Sequence, residues 1–293
     1  MIVLVEQIII YLALVLFGLV LGSFAGASIW RLRASQLIQD KKDGERVDCV
    51  EYKSLKKLAK NSILNDRSRC LHCSYVLRWY DLIPLFSWLS LGGKCRKCHE
   101  PIGYLEPAIE ICVALFFVIS YMFWPVVLVS QLEIARFIIW LLAGVALAIL
   151  FVYDAKWYLL PNRVNFTIIG FGVINAILAI LSSSDRVSTV VSIIGSVAIL
   201  SGIYWGLYQI SSGKWIGFGD IKLGLGLALL LADWKLAFIA LFAANLVGCM
   251  IVLPSVVTGK LKRDSHIPFG PLLIVGYILA GLYGHYLINL LFL

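Results

Sequence analysis

Apolar residues occur along this chain in long unbroken runs, and polar residues gather in the segments between them. A helix needs roughly 20 consecutive apolar residues to cross a bilayer, whereas the strands of a membrane β-barrel give short alternating segments. The runs therefore predict an all-α polytopic membrane protein with about eight transmembrane helices. The predicted spans are 8–29, 111–130, 136–153, 164–182, 187–210, 213–232, 236–257 and 268–291. The sixth is the least regular, because Asp220 and Lys222 interrupt it.

The distribution of charge predicts an orientation for these helices. The 293 residues are 61% hydrophobic and only 14% charged, against about a quarter charged in soluble domains. With the N-terminus outside, 22 of the 25 lysines and arginines fall on the cytoplasmic side. They lie in the segments 31–107, 154–163 and 258–267, and at Lys214 and Lys222. This asymmetry follows the positive-inside rule and predicts a cytoplasmic 31–107 loop.

The net charge of +8 is then a consequence of topology and does not indicate nucleic-acid binding. The basic stretches lack interleaved aromatic residues on which bases could stack, so no nucleic-acid partner is expected. The first apolar run is expected to remain as a helix, because Met1–Glu6 contains no basic residue and the run is longer than the apolar core of a signal peptide. Membrane lipid is thus an expected partner along the whole bundle.

Three parts of the chain are predicted from these patterns. Residues 1–30 form the first transmembrane helix, residues 31–107 a soluble insert, and residues 108–293 a helical bundle with short loops. Within the insert, a row of lysines on one side of a helix predicts a solvated or membrane-surface helix. These lysines are Lys53, Lys56, Lys57 and Lys60.

Two pairs of glycines have the spacing that permits close approach of membrane helices. They are Gly22-x-x-x-Gly26 and Gly202-x-x-x-Gly206. Small residues four apart on one helix face allow two backbones to touch, although in a glycine-rich membrane protein the pattern alone is weakly specific.

Four cysteines in the insert have the spacing of a structural zinc site. Cys70 and Cys73 form one C-x-x-C pair, Cys95 and Cys98 form another, and 21 residues separate the pairs. Each pair would bind one edge of a tetrahedral ion. Disulfides are the competing interpretation, but thiols stay reduced in the cytoplasm, where the charge distribution locates this loop. We expect a structural Zn2+ that folds the insert and performs no chemistry itself, because four thiolates leave no open coordination position.

Two aspartates lie where carboxylates are costly, within or beside apolar segments. Asp154 continues the apolar run of the third span, and Asp220 lies in the sequence Gly217-Phe218-Gly219-Asp220 between apolar flanks. The predicted topology brings both to the cytoplasmic part of the bilayer at the same depth. Two neighbouring carboxyl groups share one proton, so one can activate water while the other protonates a scissile carbonyl, as in aspartic proteases.

The glycines before Asp220 support a substrate site, because Gly217 and Gly219 lack side chains and would let a peptide backbone approach. A structural interpretation is also open, in which Lys222 forms an ion pair with Asp154 or Asp220. Other acidic residues lie at the predicted extracytoplasmic span edges, where a solvated carboxylate needs no further explanation. These are Glu6, Glu133, Asp185 and Asp233.

Several motifs together resemble the bacterial type IV prepilin peptidases, over nearly the whole chain and in order. They are Cys70-x-x-Cys73, Trp79-Tyr80-Asp81-x-Ile83-Pro84-Leu85-x-Ser87-Trp88-Leu89, Gly93-Lys94-Cys95-Arg96-x-Cys98, Gly217-x-Gly219-Asp220-x-Lys222-Leu223 and Ile267-Pro268-Phe269-Gly270-Pro271. One departure is Asn162, which follows Pro161 where the family commonly has an aspartate.

The resemblance implies an intramembrane aspartyl protease of the bacterial inner membrane, and its paired aspartates correspond to Asp154 and Asp220. Such enzymes cleave the short basic leader of type IV pilin-like precursors, usually after a glycine on the cytoplasmic side. They then N-methylate the new terminus with S-adenosyl-L-methionine. Glu110 is the residue we associate with methylation, since its carboxylate could orient the new amine or accept its proton. The alternative is that Glu110 has no role in methylation and only stabilises the N-terminus of its helix through the helix dipole.

Two rival functions come from other classes. A non-catalytic, zinc-containing membrane scaffold for pilus or secretion assembly would tolerate loss of either aspartate. A cation-coupled transporter would use Asp154 and Asp220 as its ion site, but it predicts inverted repeats, which the sequence does not contain.

Overall fold

The computed structural model describes residues 2–58, 67–259 and 268–291. These residues form helices and loops, and the β-structure among them is two isolated bridges. Lys60, Ile267 and most of the 258–267 segment lie outside the described residues. The chain divides into two compact units, Met1–Ile119 and Ser120–Leu293. The three-part division at residues 30 and 107, drawn from composition, stays a prediction.

The first helix, α1, extends far beyond the apolar run that predicted it. It covers Ile2–Lys42, and its 41 residues make it about 60 Å long. The part beyond the apolar run packs against a short helix, α2 (Cys49–Leu55), through buried Ala34, Leu37 and Leu55. A further short helix, α3 (Phe86–Ser90), lies within the 79–90 loop. The long first helix thus leaves the predicted membrane span and serves as a support for the insert.

Close packing of α1 against α4 (Leu105–Met122) depends on glycine. A Cβ on Gly22 would lie 2.7 Å from the Cα of Glu110, so a larger residue would push the two backbones apart. Gly26 is less restricted, because a Cβ there would have its nearest neighbour, Glu106 Cγ, at 3.8 Å. In contrast, a Cβ on Gly206 would meet nothing within 4 Å, so the second glycine pair does not mark a close approach there.

The second unit is a helical bundle. Its helices are α5 (Gln131–Trp157), α6 (Asn162–Ser182), α7 (Arg186–Val197), α8 (Ile203–Ser211), α9 (Phe218–Leu231), α10 (Trp234–Val257) and α11 (Phe269–Leu291). A π-helical turn, Ala198–Gly202, joins α7 and α8 into one segment. Across the described parts of the chain, seven helices are long and apolar enough to cross a membrane, and the predicted all-α membrane fold is confirmed.

The remaining predicted span, the sixth (213–232), contains the short helix α9. Its 14 residues span about 21 Å, less than the roughly 30 Å of a bilayer core. Residues 213–217 of this span are not helical, and Ala232 ends the helix in a left-handed conformation. Carbonyls at its C-terminal end need partners in an apolar environment, and Asn175 Nδ2 donates to those of Leu229 (3.3 Å) and Leu230 (2.8 Å). Helix α9 is therefore held inside the bundle by specific polar contacts.

Acidic residues at the ends of other helices have structural partners. Asp185 accepts a hydrogen bond from the backbone N–H of Ser188 at the start of α7, and Asp233 accepts one from Lys235 at the start of α10. Both are N-caps, which satisfy backbone donors left free by the first helical turn. Glu133 forms an ion pair with Arg136 on α5.

Candidate functional site

Two turns of the same geometry carry the four cysteines. In each turn the backbone oxygen of the first cysteine accepts a hydrogen bond from the residue four positions on, Ser74 after Cys70 and His99 after Cys95, both at 3.0 Å. Both of those residues have φ of 57°. The first cysteine N–H also donates across each turn, to Tyr75 and Glu100, both at 2.9 Å. The two halves of the site are therefore local repeats of one backbone motif, which the cysteine spacing alone did not indicate.

The four sulfur atoms converge on one point. Cys70 Sγ lies 3.9 Å from Cys98 Sγ, and Cys73 Sγ lies 3.9 Å from Cys95 Sγ. All four lie within 4.8 Å of one another. Tetrahedral zinc with Zn–S bonds of about 2.3 Å places its sulfurs about 3.8 Å apart, so these residues fit the ion. The distances are far longer than a disulfide bond of about 2.0 Å.

Ionisation of the thiols is uneven across the cluster. Burial raises the pKa of the Cys70 thiol to about 12. At Cys95 burial acts in the same direction, but hydrogen bonds from the backbone of Cys98 and Lys97 outweigh it and lower the pKa to about 7. A metal ion binds the thiolate form, so burial at Cys70 opposes metal binding and the backbone hydrogen bonds at Cys95 favour it.

Contacts of the surrounding chain connect this cluster to α1, and a hydrogen bond joins α1 in turn to α4. Leu71, between the first two cysteines, packs against the α1–α2 core. Asp81 binds the Arg96 guanidinium at 2.8 Å, and this contact raises the pKa of Arg96. Trp30 Nε1 donates to Glu106 Oε1 at 2.8 Å. The metal site is thus one face of a small folded unit, and helices support it from outside.

Glu110 is buried in this first unit, with 6% of its surface exposed. Its Oε2 accepts a hydrogen bond of 2.7 Å from the backbone N–H of Leu85, whose φ of 58° is in the left-handed region. The Ser23 hydroxyl of α1 also bonds the carboxylate. Glu110 is the sixth residue of α4, beyond the first turn where an acidic side chain would interact most with the helix dipole. Its contacts join α1, α4 and the loop 79–90.

In the second unit, Asp154 lies in the last turn of α5 and is 6% exposed. Its Oδ2 accepts a hydrogen bond of 3.0 Å from the backbone N–H of Gly270, at the start of α11. A Cβ on Gly270 would lie 2.7 Å from that same oxygen, so only glycine allows this contact without displacement. Tyr158, in a left-handed conformation, ends α5 one turn later.

Asp220 is the third residue of α9 and is partly exposed. Its Oδ2 accepts a hydrogen bond of 3.2 Å from the backbone N–H of Gly217, which folds the carboxylate back over the helix start. Asn165 Nδ2 reaches the carbonyl of Gly219 at 3.4 Å and fixes this loop to α6. Asp220 is therefore presented by a turn that contains Gly217 and Gly219.

The two aspartates come together around Leu160, in the loop between α5 and α6. A Cβ on Gly219 would lie 3.0 Å from Leu160 Cβ, and one on Gly270 would lie 3.4 Å from its Cδ2. The carboxyl groups are close enough for the charge of Asp154 to act on Asp220. Two interacting carboxyl groups at one site can share a proton, which is the arrangement that acid–base hydrolysis of a peptide bond requires.

Lys222 does not form the ion pairs considered from the sequence. Its Nζ donates to Asn162 Oδ1 at 2.7 Å and lies over the rings of Phe218 and Phe166. The ion pairs within the described residues do not include Lys222 with either aspartate. The residue at 162, where the family commonly has aspartate, thus acts here as a neutral acceptor for Lys222.

Sequence reasoning missed the parts of the site that come from other helices. Leu160 carried no chemical signal. Gly270 lies in a motif that the family resemblance singled out. Its role as a hydrogen-bond donor to Asp154 depends on the packing of two helices whose contacting residues are 116 positions apart in the chain.

Comparison with known proteins gives two family models that match in order. The model of the bacterial peptidase A24 N-terminal domain matches residues 16–124, and that of the type IV leader peptidase family matches residues 140–253. The boundary between the two compact units, after Ile119, falls five residues before the end of the first match. No solved structure gives a significant match.

Curated relatives match most of the chain. A prepilin leader peptidase/N-methyltransferase of Dichelobacter nodosus is 30% identical, over 92% of this chain and 90% of the relative. The protein of the same name from Pseudomonas aeruginosa is 28% identical, over 93% of this chain and 90% of its own length. Another from Bacillus subtilis is 30% identical, over 78% of this chain and 86% of its own.

Proposed function

We propose that this chain, which belongs to the type IV leader peptidase family, is an inner-membrane aspartic peptidase that cleaves the basic leader of type IV pilin-like precursors and N-methylates the new terminus. The observation that carries the proposal is the convergence of Asp154 and Asp220 around Leu160, with glycine backbone at both carboxylates. Family membership supports the substrate class, and the paired carboxylates support the reaction.

The chemistry follows from two carboxyl groups that hold one proton between them. The ionised carboxylate takes a proton from water, whose oxygen attacks the scissile carbonyl carbon, while the protonated partner gives its proton to the carbonyl oxygen. The tetrahedral diol then collapses: the C–N bond breaks as the departing amine takes the proton that the first carboxylate accepted from water, and a diol hydroxyl returns a proton to the second carboxylate. Gly217, which has no side chain, leaves room for the substrate backbone beside Asp220, whereas Gly219 lets Leu160 pack closely against the start of α9.

Topology supports the same substrate. The N-terminus is proposed to lie outside and the 31–107 insert in the cytoplasm, because that orientation keeps 22 of 25 basic residues inside. The precursor's apolar helix would then lie in the bilayer beside the bundle. Its basic leader would remain at the cytoplasmic surface.

Cys70, Cys73, Cys95 and Cys98 are proposed to hold a structural Zn2+ that stabilises the insert. For methylation we propose Glu110 as the group that orients the new amine or accepts its proton. S-adenosyl-L-methionine would supply the methyl group. The sequence has no glycine-rich nucleotide-binding loop, so no residue is assigned to hold that donor.

The proposal is tested by co-expression with a precursor that has a basic leader, a glycine at the junction and an apolar helix, followed by mass analysis of the product N-terminus. Asp154→Asn and Asp220→Asn should each lower cleavage by at least about a thousandfold, with unchanged protein level in the membrane. Asp185→Asn, which alters only an N-cap of α7, is the control and should cleave normally. Near-normal processing by either aspartate variant would favour the scaffold.

A further inference from the structure

Tyr204 is a buried tyrosine whose hydroxyl lacks a hydrogen-bond partner. It is the second residue of α8 and is 4% exposed. Its hydroxyl belongs to the small set of buried polar atoms without a partner in the described parts of the chain. A buried polar group with no partner is costly, and such groups are few in native proteins. A function at this position would explain why a hydroxyl is placed there at an energetic cost.

The surroundings of Tyr204 connect it to both aspartates. Its ring packs edge-on against Phe269, with centroids 5.3 Å apart. Phe269 directly precedes Gly270, whose N–H binds Asp154. On the other side, the charge of Asp220 acts on the Tyr204 hydroxyl. The phenol therefore lies within electrostatic range of Asp220, and its ring contacts the residue that precedes Gly270 in α11.

The segment before Tyr204 is fixed to α9 immediately after Asp220. The π-helical turn Ala198–Gly202 ends two residues before Tyr204. Within the turn, Ser201 Oγ donates to the carbonyl of Ile221 at 3.1 Å, and the Leu200 carbonyl lies directly against the backbone of Gly224. Single π-helical turns inside α-helices are frequent at functional sites, because the extra residue changes the direction of the side chains that follow. Here the turn fixes the direction of Tyr204 relative to Asp220.

We infer that Tyr204 is a third polar group of the aspartate site and donates a hydrogen bond to the scissile carbonyl oxygen as that carbon becomes tetrahedral. The inference rests on the proposed peptidase function. During attack the water oxygen bonds to the carbonyl carbon and the C=O π pair moves to the oxygen, which takes its proton from the protonated aspartate. The ionised aspartate takes the proton of water. Tyr204 keeps its own proton and strengthens its hydrogen bond as negative charge develops on that oxygen.

Tyr204→Phe tests this role, because it keeps the ring against Phe269 and removes only the hydroxyl. Purified full-length protein in detergent is assayed with a purified precursor that carries a basic leader, Gly-Phe junction and apolar helix. We expect kcat to fall by about tenfold to a hundredfold, with KM changed by less than about threefold, as for loss of a donor to the transition state. The pH profile of kcat should keep its shape, since Tyr204 transfers no proton. Thermal stability should be equal or higher, since an unpaired hydroxyl is lost.

Tyr277→Phe is a matched control. Tyr277 is fully buried and its hydroxyl also lacks a partner, but its ring stacks on Trp140, 4.8 Å away, and not on Phe269. This variant should keep wild-type kcat.

Four results would overturn the inference: kcat of Tyr204→Phe within about twofold of wild type, a rise of KM alone, a shifted pH profile, or activity lost together with stability. If any of these results is obtained and the Asp154→Asn and Asp220→Asn proteins are inactive, the Tyr204 inference fails but the peptidase proposal stands. Active aspartate variants would instead remove the peptidase proposal itself.

Discussion

The cysteine cluster and the aspartate pair are both sets of side chains that converge on one point, but they are built in opposite ways. The cluster is assembled from two similar turns within one loop, with 28 positions between its outermost ligands. Its geometry is encoded in each turn by local hydrogen bonds. The aspartates come from different helices, and a contact that spans 116 positions holds Asp154 in place. Their geometry depends on how helices of the bundle pack.

This difference predicts different consequences of substitution. A metal ligand is part of the folding energy of its module, so its loss should unfold the insert. A carboxylate in the bundle contributes chemistry at an energetic cost, so its loss should leave the bundle folded. A backbone contact such as that of Gly270 with Asp154 affects both folding and chemistry, because it sets the packing of two helices and the position of the carboxylate together.

Beyond loss of an aspartate, the largest effect on cleavage is expected at Gly270. In Gly270→Ala the new Cβ would lie 2.7 Å from Asp154 Oδ2 and 3.3 Å from its Cγ, so the carboxylate must move. A displacement of about 1 Å at a reacting group costs about a hundredfold in rate, and we expect a fall in kcat of that order. Gly170→Ala is the control, since a Cβ there meets nothing within 4 Å, and its kcat should not change. Unchanged kcat in Gly270→Ala would mean that Asp154 is not held by this contact.

The same comparison explains what could be predicted from the sequence. The four cysteines were found by spacing, because both turns are local. Asp154 and Asp220 were found because carboxylates in apolar segments are costly, but the sequence alone left an ion pair with Lys222 open. That Lys222 binds Asn162 instead follows from the packing of α6 against α9. Such long-range contacts leave no periodic signal along the chain.

Some helix lengths and close helix approaches were predicted correctly and others were not, because they too depend on long-range packing. Apolar composition marked 213–232 as a span, but it could not indicate that only Phe218–Leu231 is helical. Glycine spacing correctly indicated the close helix approach at Gly22, where Glu110 lies opposite. The same spacing at Gly206 does not correspond to a close approach, because no neighbour is near. A residue pattern identifies a face that is able to pack closely, and the opposite helix decides whether it does.

A serine at one metal ligand should affect stability of the insert more than cleavage. Wild-type protein should carry about one zinc per chain, and Cys73→Ser should lose most of it, because three thiolates bind the ion less tightly than four. Metal analysis of the purified protein and limited proteolysis of the 31–107 region give the two measurements. Cys249→Ser, at an exposed cysteine outside the cluster, should change neither. A metal-free wild-type protein that nevertheless resists proteolysis would contradict a structural zinc.

Glu110→Gln should have the smallest effect on cleavage and a specific effect on its product. The glutamine Oε1 can still accept the hydrogen bond from Leu85, so the contacts between α4 and the 79–90 loop are kept. A neutral amide cannot take a proton from the new amine, so methylation should fail while leader removal continues. The product should then be lighter by one methylene, about 14 Da in mass analysis of the N-terminus.

Glu106→Gln, beside Trp30, is the matched control and should give a methylated product. A fully methylated product from Glu110→Gln would reduce Glu110 to a structural acceptor for Leu85. An unmethylated product from the wild type would make the chain a peptidase alone, and the buried carboxylate would then act only to hold the loop against the helix.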